Sequence, residues 1–232
     1  MNNQKDFSAL EGKLGIAFKN RDILTQAFVH RSYLNEHPSF PFGHNERLEF
    51  LGDAVLELVV TDYLYRNYPN PEGEMTNWRA ALVNARMLAE IANQYGLDQY
   101  MYLSHGESRD SQGKARQFIL ANAFEALIGA IHLDLGYGAA ERFIREAVLS
   151  KLPDILERQL YMDPKSRFQE KSQEIVGLTP NYRVLEETGP DHAKKFTVGA
   201  FLGDEKVAEG SGTSKQEAQV SAAERALEAK GW

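Results

Sequence analysis

The chain has 232 residues, with 26 Lys+Arg against 33 Asp+Glu, a formal net charge of −7 and no cysteine. That length allows one or two domains, and the lack of cysteine excludes disulfides and thiolate metal sites. The opening MNNQKDFSAL has no apolar leader, and no apolar run approaches the roughly 20 residues that span a bilayer, so a cytoplasmic chain without a membrane partner is expected.

In chain order, residues 6–18 predict a short helix with Phe7, Leu10 and Leu14 on one face. A second helix is predicted over 21–36, with Ile23, Leu24, Ala27 and Phe28 as its apolar side. Within it, His30 and Tyr33 suit a core or hydrogen-bonded role. HPSFPFGH at 37–44 predicts a loop. A long helix follows to about Tyr68, with Asn45 as its N-cap. The segment 69–74, PNPEGE, breaks the pattern, and Thr76 opens the next helix. Residues 85–95 form another, ended by Gly96. The polar stretch 104–114, SHGESRDSQGK, predicts a flexible loop. Helices are then predicted over 116–134 and, with a break at Pro153, over 139–157. No convincing alternating strand occurs before about residue 155.

The C-terminal part changes character. Asp163-Pro164 is an N-cap followed by proline at N1, opening a helix that stops at Gly177. Strands are predicted over 182–187, 195–202 and 206–210, the last two joined by a Gly203-Asp204 turn. Ser214-Lys215-Gln216-Glu217 reads as a capping box opening the last helix. The expected organisation is therefore an all-α domain over 1–158, a linker over 159–163 and an α-β-β-β-α domain over 164–232.

Two helices of the first domain carry chemistry. At 100° per residue, Glu46, Glu49, Asp53 and Glu57 share one narrow arc, opposite a core face of Leu48, Leu51, Val55 and Leu58. No basic residue at i+4 relieves the acids. Phe50 sits beside them, where a solvated face would be polar. Gly52 lies mid-helix at a cost of about 1 kcal/mol, which close packing would explain. In the second helix, Phe118 to Ile131 is apolar apart from Asn122 and Glu125, which share a face at i, i+3. A carboxylate in so apolar a run needs a partner. Two helices that each offer oxygen ligands would make a hard-cation site for Mg²⁺ or Mn²⁺.

NERLEFLGD at 45–53 resembles the signature of the ribonuclease III family, and AFEALIGA at 123–130 its second metal-binding helix. The C-terminal part resembles a double-stranded-RNA-binding domain. The resemblance covers essentially the whole chain. It implies a homodimeric, Mg²⁺-dependent endonuclease of double-stranded RNA, with Mn²⁺ as a substitute. Its products would carry 5′-phosphate and 3′-hydroxyl ends with short 3′ overhangs, and processing of ribosomal and other precursor RNAs would be its role. It assigns metal ligation to Glu49, Glu125 and position 122, a catalytic acidic role to Asp53 alongside Glu125, and the outer rim to Glu46. Glu72 is an outer-shell candidate. Phe50 would plug a socket on the partner subunit. The family has Asp where this chain has Asn122, which keeps a carbonyl ligand but loses a charge and a carboxylate oxygen. Cleavage would be weakened or abolished, and the sequence does not say whether the change is natural or introduced.

For the second domain the resemblance implies shape-based reading of duplex RNA through two minor grooves and the intervening phosphates. Gln169, Glu170 and Gln173 would face one minor groove and His192 the next, with Lys194 and Lys195 beside it. Ser214 and Lys215 would hold phosphates, helped by free backbone N–H groups. Gln216 and Gln219 stand where the family usually has basic residues. Charge gives no global attraction: residues 1–160 hold 16 basic and 21 acidic residues, net −5, and residues 161–232 hold 10 and 12, net −2. Binding must therefore come from local basic clusters. The alternative is an RNA-binding protein with an inactive nuclease domain, supported only by Asn122. A di-iron bundle would want Glu-x-x-His motifs, and Ile128 follows Glu125 instead. A purely structural helical scaffold would not need an unpaired acidic arc.

Overall fold

A computed structural model describes residues 5–109, 113–190 and 194–232. The chain divides into two compact units, Met1–Glu157 and Arg158–Trp232. The first is helical: α1 (Ser8–Leu14), α2 (Arg21–Ala27), α3 (Arg31–Glu36), α4 (Glu46–Asn67), α5 (Glu72–Val83), α6 (Ala85–Tyr95), α7 (His105–Arg109), α8 (Lys114–Leu135), α9 (Tyr137–Ala147) and α10 (Leu152–Glu157). Apart from an isolated bridge between Val29 and Tyr102, no strand pairing occurs among its described residues.

That bridge corrects the single helix expected over 21–36. The His30 N–H donates to the Tyr102 carbonyl, and the Tyr102 N–H to the Phe28 carbonyl. Backbone groups committed to a distant segment cannot also continue a helical ladder, so α2 and α3 are separate. His30 then caps α3, its Nδ1 accepting from the Ser32 N–H, and Tyr33 is buried. Other boundaries move for local reasons. Helix α5 begins at Glu72 rather than Thr76, directly after the extended Pro71, with Glu72 and Glu74 in the first turn, where the dipole favours acids. Pro153 sits in the first turn of α10, a tolerated position; the break falls earlier, at the 3₁₀ turn Leu149–Lys151. The polar segment 104–114 contains the short α7.

Helix α8 is the centre of this unit. Of its residues, Ile119, Leu120, Ala121, Ala123, Phe124, Ala126, Leu127, Ile128, Ala130 and Ile131 are all buried. By length and composition alone this 22-residue helix could cross a membrane, although polar residues interrupt its apolar run. It is core instead, with 61% of that window buried inside the unit. Helix α4 lies against it at backbone distance. A Cβ added to Gly52 would stand 1.8 Å from the Glu125 carbonyl oxygen, and one on Gly129 would stand 2.2 Å from the Leu48 carbonyl oxygen. Neither helix has room for a side chain at this crossing.

The second unit has α11 (Pro164–Val176), a sheet of β1 (Pro180–Thr188), β2 (Lys195–Leu202) and β3 (Glu205–Gly212), and α12 (Lys215–Lys230). The sheet is antiparallel in the order β1-β2-β3. The side chain of Asp163 accepts from the Lys165 and Ser166 N–H groups to open α11, and Gly177 closes it at φ 71°. The core joins Phe168 of α11, Ala200 and Leu202 of β2, and Ala222, Ala223, Ala226 and Leu227 of α12. Alanines let α12 lie close on the sheet: a Cβ on Gly210 of β3 would be 2.1 Å from the Ala222 nitrogen. The helix start departs from a simple capping box. Ser214 accepts from the Glu217 N–H, while the Glu217 carboxylate reaches Thr213 instead, accepting from its N–H at 2.8 Å and its hydroxyl at 2.6 Å.

Gly52→Ala is expected to lower the stability of the helical unit by about 1–3 kcal/mol, the usual range for overpacking. Urea unfolding of the full chain would read this as an earlier transition for that unit alone; an unchanged midpoint would contradict the crossing geometry.

Candidate functional site

The acids of α4 come to α8 because the two helices touch at Gly52 and Gly129. Gly52 packs on the backbone of Glu125 itself, and Asp53 beside it and Glu49 one turn before it act on the α8 face that carries Asn122 and Glu125. Glu125 is the most perturbed of them. Burial raises its carboxyl to about 8, and the charges of Asp53, Glu49 and Glu57 push it the same way. Glu49 is raised too, by burial and then by Glu46 and Asp53, while a hydrogen bond from the Asn122 amide pulls it back down. An amide offers both N–H donors and a carbonyl acceptor, so the same side chain can serve Glu49 and a cation.

The ends of the acidic arc are neutralised from outside the helix, which i+4 spacing could not show. Arg31 of α3 pairs with Glu46 at 3.3 Å, with His44 Nδ1 at 3.7 Å on its other oxygen. Arg79 of α5 pairs with Glu57 at 3.0 Å and donates to the Thr61 hydroxyl. What remains without a basic partner among the described residues is the middle: Glu49, Asp53 and Glu125. Glu57 was in the arc but not among the expected site residues; its charge acts on Glu125 even though Arg79 holds it. Glu72 stands exposed at the start of α5 and is not among the charges that act on Glu125.

Two further expectations about α4 need correction. Asn45 does not cap the helix with its side chain. It is buried, and its Nδ2 donates to the Ala27 carbonyl at 3.2 Å, tying the helix start to α2. Leu58 is 57% exposed rather than part of the core face. The apolar face turns instead through Leu48, Val55, Leu56, Val59 and Val60, all buried. Leu58 joins Phe50, 81% exposed, and Tyr65, 77% exposed. Helical spacing puts these three within about 80° of one another, beside the acids.

The donors at the middle of the site are carboxylates and one amide carbonyl, all hard oxygen ligands of the kind Mg²⁺ or Mn²⁺ takes. Among the described residues no three His, Asp or Glu side chains converge as a complete metal cluster. The set that assembles is Glu49 and Glu125 with Asn122 as the third donor. Two half-buried carboxyls, raised first by burial and then by neighbouring acids (Glu46 and Asp53 on Glu49; Asp53, Glu49 and Glu57 on Glu125), fit a divalent cation, which would offset that repulsion.

In the second unit, Gln169, Glu170 and Gln173 lie exposed on α11, opposite buried Phe168 and Ser172. Gln173 donates to the Thr179 hydroxyl at 3.2 Å. Ser214 and Lys215 are exposed at the start of α12, with the Lys215 amine 5.7 Å over the Phe196 ring. Lys194 pairs with Glu187 at 2.9 Å, and Lys195 opens β2, exposed. His192 lies outside the described residues.

Residues 20–152 match the family model described as ribonuclease-III-like, and residues 164–230 match the double-stranded RNA binding motif. Ribonuclease 3 of Carboxydothermus hydrogenoformans is 45% identical over 97% of this chain and 96% of its own length. Ribonuclease 3 of Chloroflexus aurantiacus is 44% identical over 95% and 90%. Among solved structures, the nuclease domain of ribonuclease III from Campylobacter jejuni is 38% identical, with a TM-score of 0.53, covering 62% of this chain and 96% of that one. A second structure of that domain, 37% identical at a TM-score of 0.53, covers 61% of this chain and 98% of its own; it is described as flexible in the region involved in dimer formation.

The Glu125 carboxyl sets a pH dependence. Its folded pKa of about 8 lies above the ordinary 4.5, so the folded state holds the proton more tightly than the unfolded one. In chelator, the contribution of Glu125 to the stability of the helical unit is expected to be full below the lower value and to be lost as pH rises through the upper one. Thermal unfolding of wild type and Glu125→Gln at roughly pH 6 and pH 9 tests this: the variant should show a shallower loss, and an identical loss would remove Glu125 as its source.

Proposed function

The chain belongs to the ribonuclease III family, endoribonucleases that act on double-stranded RNA, and from that premise we propose that it cuts its substrate by metal-assisted hydrolysis, leaving 5′-phosphate and 3′-hydroxyl ends. The observation that carries this reading is the group of Glu49, Asp53 and Glu125 where α4 and α8 cross, without a cationic partner among the described residues. A structural role would have paired these acids, as Arg31 pairs Glu46 and Arg79 pairs Glu57.

In this mechanism Glu49, Glu125 and the Asn122 carbonyl would hold Mg²⁺, with Mn²⁺ as a substitute. The cation, when bound, would lower the pKa of a water and offset the charge that grows on the phosphate and the leaving 3′-oxygen. Asp53, which is exposed, would orient the attacking water and take its proton. Glu46, held by Arg31 and His44, borders the site on the side of α3. The duplex would be held by the second domain through Gln169, Glu170, Gln173, His192, Lys194, Lys195, Ser214 and Lys215. Processing of ribosomal and other precursor RNAs is the role this activity would serve.

Asn122 favours a second reading, in which the chain binds duplex RNA and cuts poorly. An amide at this position donates to Glu49 and eases the metal-free repulsion, whereas an Asp would add a further negative charge to it. The same exchange that stabilises the empty cluster weakens its hold on a cation.

The exposed Phe50, Leu58 and Tyr65 are read as the contact of a homodimer, which would set two acidic sites in one cleft, one for each RNA strand. The C. jejuni nuclease domain, with its region of dimer formation, supports this.

Cleavage of a long RNA duplex in excess Mg²⁺ tests the catalytic assignment. Glu125→Gln should abolish cutting while duplex binding by gel shift stays within about twofold, since a carboxylate-to-amide change removes a ligand charge and little volume. Asn122→Asp should raise the cutting rate at limiting Mg²⁺ and lower the melting temperature in chelator. Cutting by Glu125→Gln at the wild-type rate would overturn the ligand set. Equal cutting by wild type and Asn122→Asp would show that position 122 does not limit the site. For the dimer, Phe50→Ala should shift sedimentation toward monomer at low protein concentration, and an unchanged profile would refute the contact.

A further inference from the structure

The phosphate-holding end of α12 is poor in charge. Its first turns read Lys215, Gln216, Glu217 and Gln219, so one cation is matched by one anion. The Glu217 carboxylate is drawn to that end by Thr213. A helix N-terminus set up in this way attracts a phosphate weakly. The unit as a whole is also slightly acidic, so any charge that binds RNA there must be placed locally.

A neighbouring lysine is so placed. Lys165, in the first turn of α11, extends across to α12 and donates from Nζ to the Gln219 side-chain oxygen at 2.7 Å. Its amine also lies 5.3 Å over the Tyr182 ring. These two contacts hold the side chain in one direction, which reduces the entropy lost when it meets a ligand. Its pairing differs from that of its neighbours. Lys171, Lys194, Lys206 and Lys230 are each bonded to a glutamate. Lys165 makes no ion pair among the described residues. Asp163, the nearest acid in the chain, is occupied by the N–H groups of Lys165 and Ser166.

The surroundings are built for a polar ligand. Lys165 lines a groove of about 440 Å³ together with Ser166 and Gln169 of α11, Tyr182 of β1 and Gln216 of α12; the groove's one acid, Asp163, accepts the N–H groups that open α11. The Tyr182 hydroxyl is buried there with no hydrogen-bond partner among the described residues, an uncommon state for a polar atom. The groove joins the exposed Gln169 to the start of α12, so it lies between two surfaces already assigned to the duplex.

We propose that Lys165 is a phosphate-binding residue for double-stranded RNA, supplying from α11 the positive charge that α12 lacks at Gln216 and Gln219. The proposal rests on the double-stranded-RNA reading of this domain. The bound phosphodiester would take the ammonium N–H groups that Gln219 does not use, since a lysine ammonium has three donors. Tyr182 and Gln219 act as positioning residues that fix where the charge is presented.

Binding of the full chain to an RNA duplex of about 20 base pairs, long enough for one domain to span its site, tests this by gel shift in chelator across a salt series. For Lys165→Met the slope of log K against log salt concentration should fall by about 1, the value of one lost phosphate contact. Lys165→Arg should keep the wild-type slope. Thermal unfolding run alongside separates a purely structural strut, which would lower the melting temperature of the domain and leave the slope unchanged. An unchanged slope in Lys165→Met with wild-type binding intact would overturn the proposal for Lys165 alone. Failure of the wild-type chain to bind the duplex would instead overturn the RNA reading on which it stands.

Discussion

The crossing of α4 and α8 at Gly52 and Gly129 is the contact on which the rest of the helical unit depends. Helix axes normally stand 8–10 Å apart because side chains keep them there. Here each glycine faces a carbonyl of the other helix at a distance that no Cβ would allow. The consequence is chemical as well as structural. Side chains at and next to the contact are brought together, and on both helices these include acids or their amide counterpart. Glycine's propensity cost is accepted at the point where it brings Glu49 and Asp53 to Glu125.

Electrostatics then works against the fold at that point. Burial and mutual repulsion raise Glu49 and Glu125, so the unit carries strain that a purely stabilising design would remove. Arginines from α3 and α5 relieve only the two ends of the arc. The unpaired middle is the feature on which the proposed ligand set rests. Asn122 softens the conflict by lowering Glu49 in place of a fourth charge; under the proposed metal mechanism, stability and cation affinity would trade against each other at this one side chain.

The second unit solves a different problem: a slightly acidic domain must present positive charge to a polyanion. Its small core of Phe168, alanines and two leucines packs α11 and α12 on one three-stranded sheet. That packing brings the first turns of the two helices close enough for Lys165 to reach Gln219. Most other lysines of the unit are held by glutamates, so net charge is a poor guide to the potential that a duplex meets.

By itself, the sequence determined the two-domain order, the α-β-β-β-α pattern and the acidic arc of α4, because these rest on local periodicity, caps and motif spacing. The start of α11 at Asp163-Pro164, the β2 span 195–202 and the stop of α6 at Gly96 were all written in neighbouring residues. Only the tertiary structure decided what depends on distant partners. Backbone bonds from Phe28 and His30 to Tyr102 split the helix expected over 21–36. Asn45 turned from cap to core tie because Ala27 offers it a buried carbonyl. Leu58 left the core face because α8 crosses elsewhere on the helix wheel. The pairing of Glu46 and Glu57 with arginines from other helices, and of Lys165 with Gln219, could not be read from i+3 and i+4 spacing. Such contacts are set by how elements cross, and a linear pattern carries no record of that angle or distance.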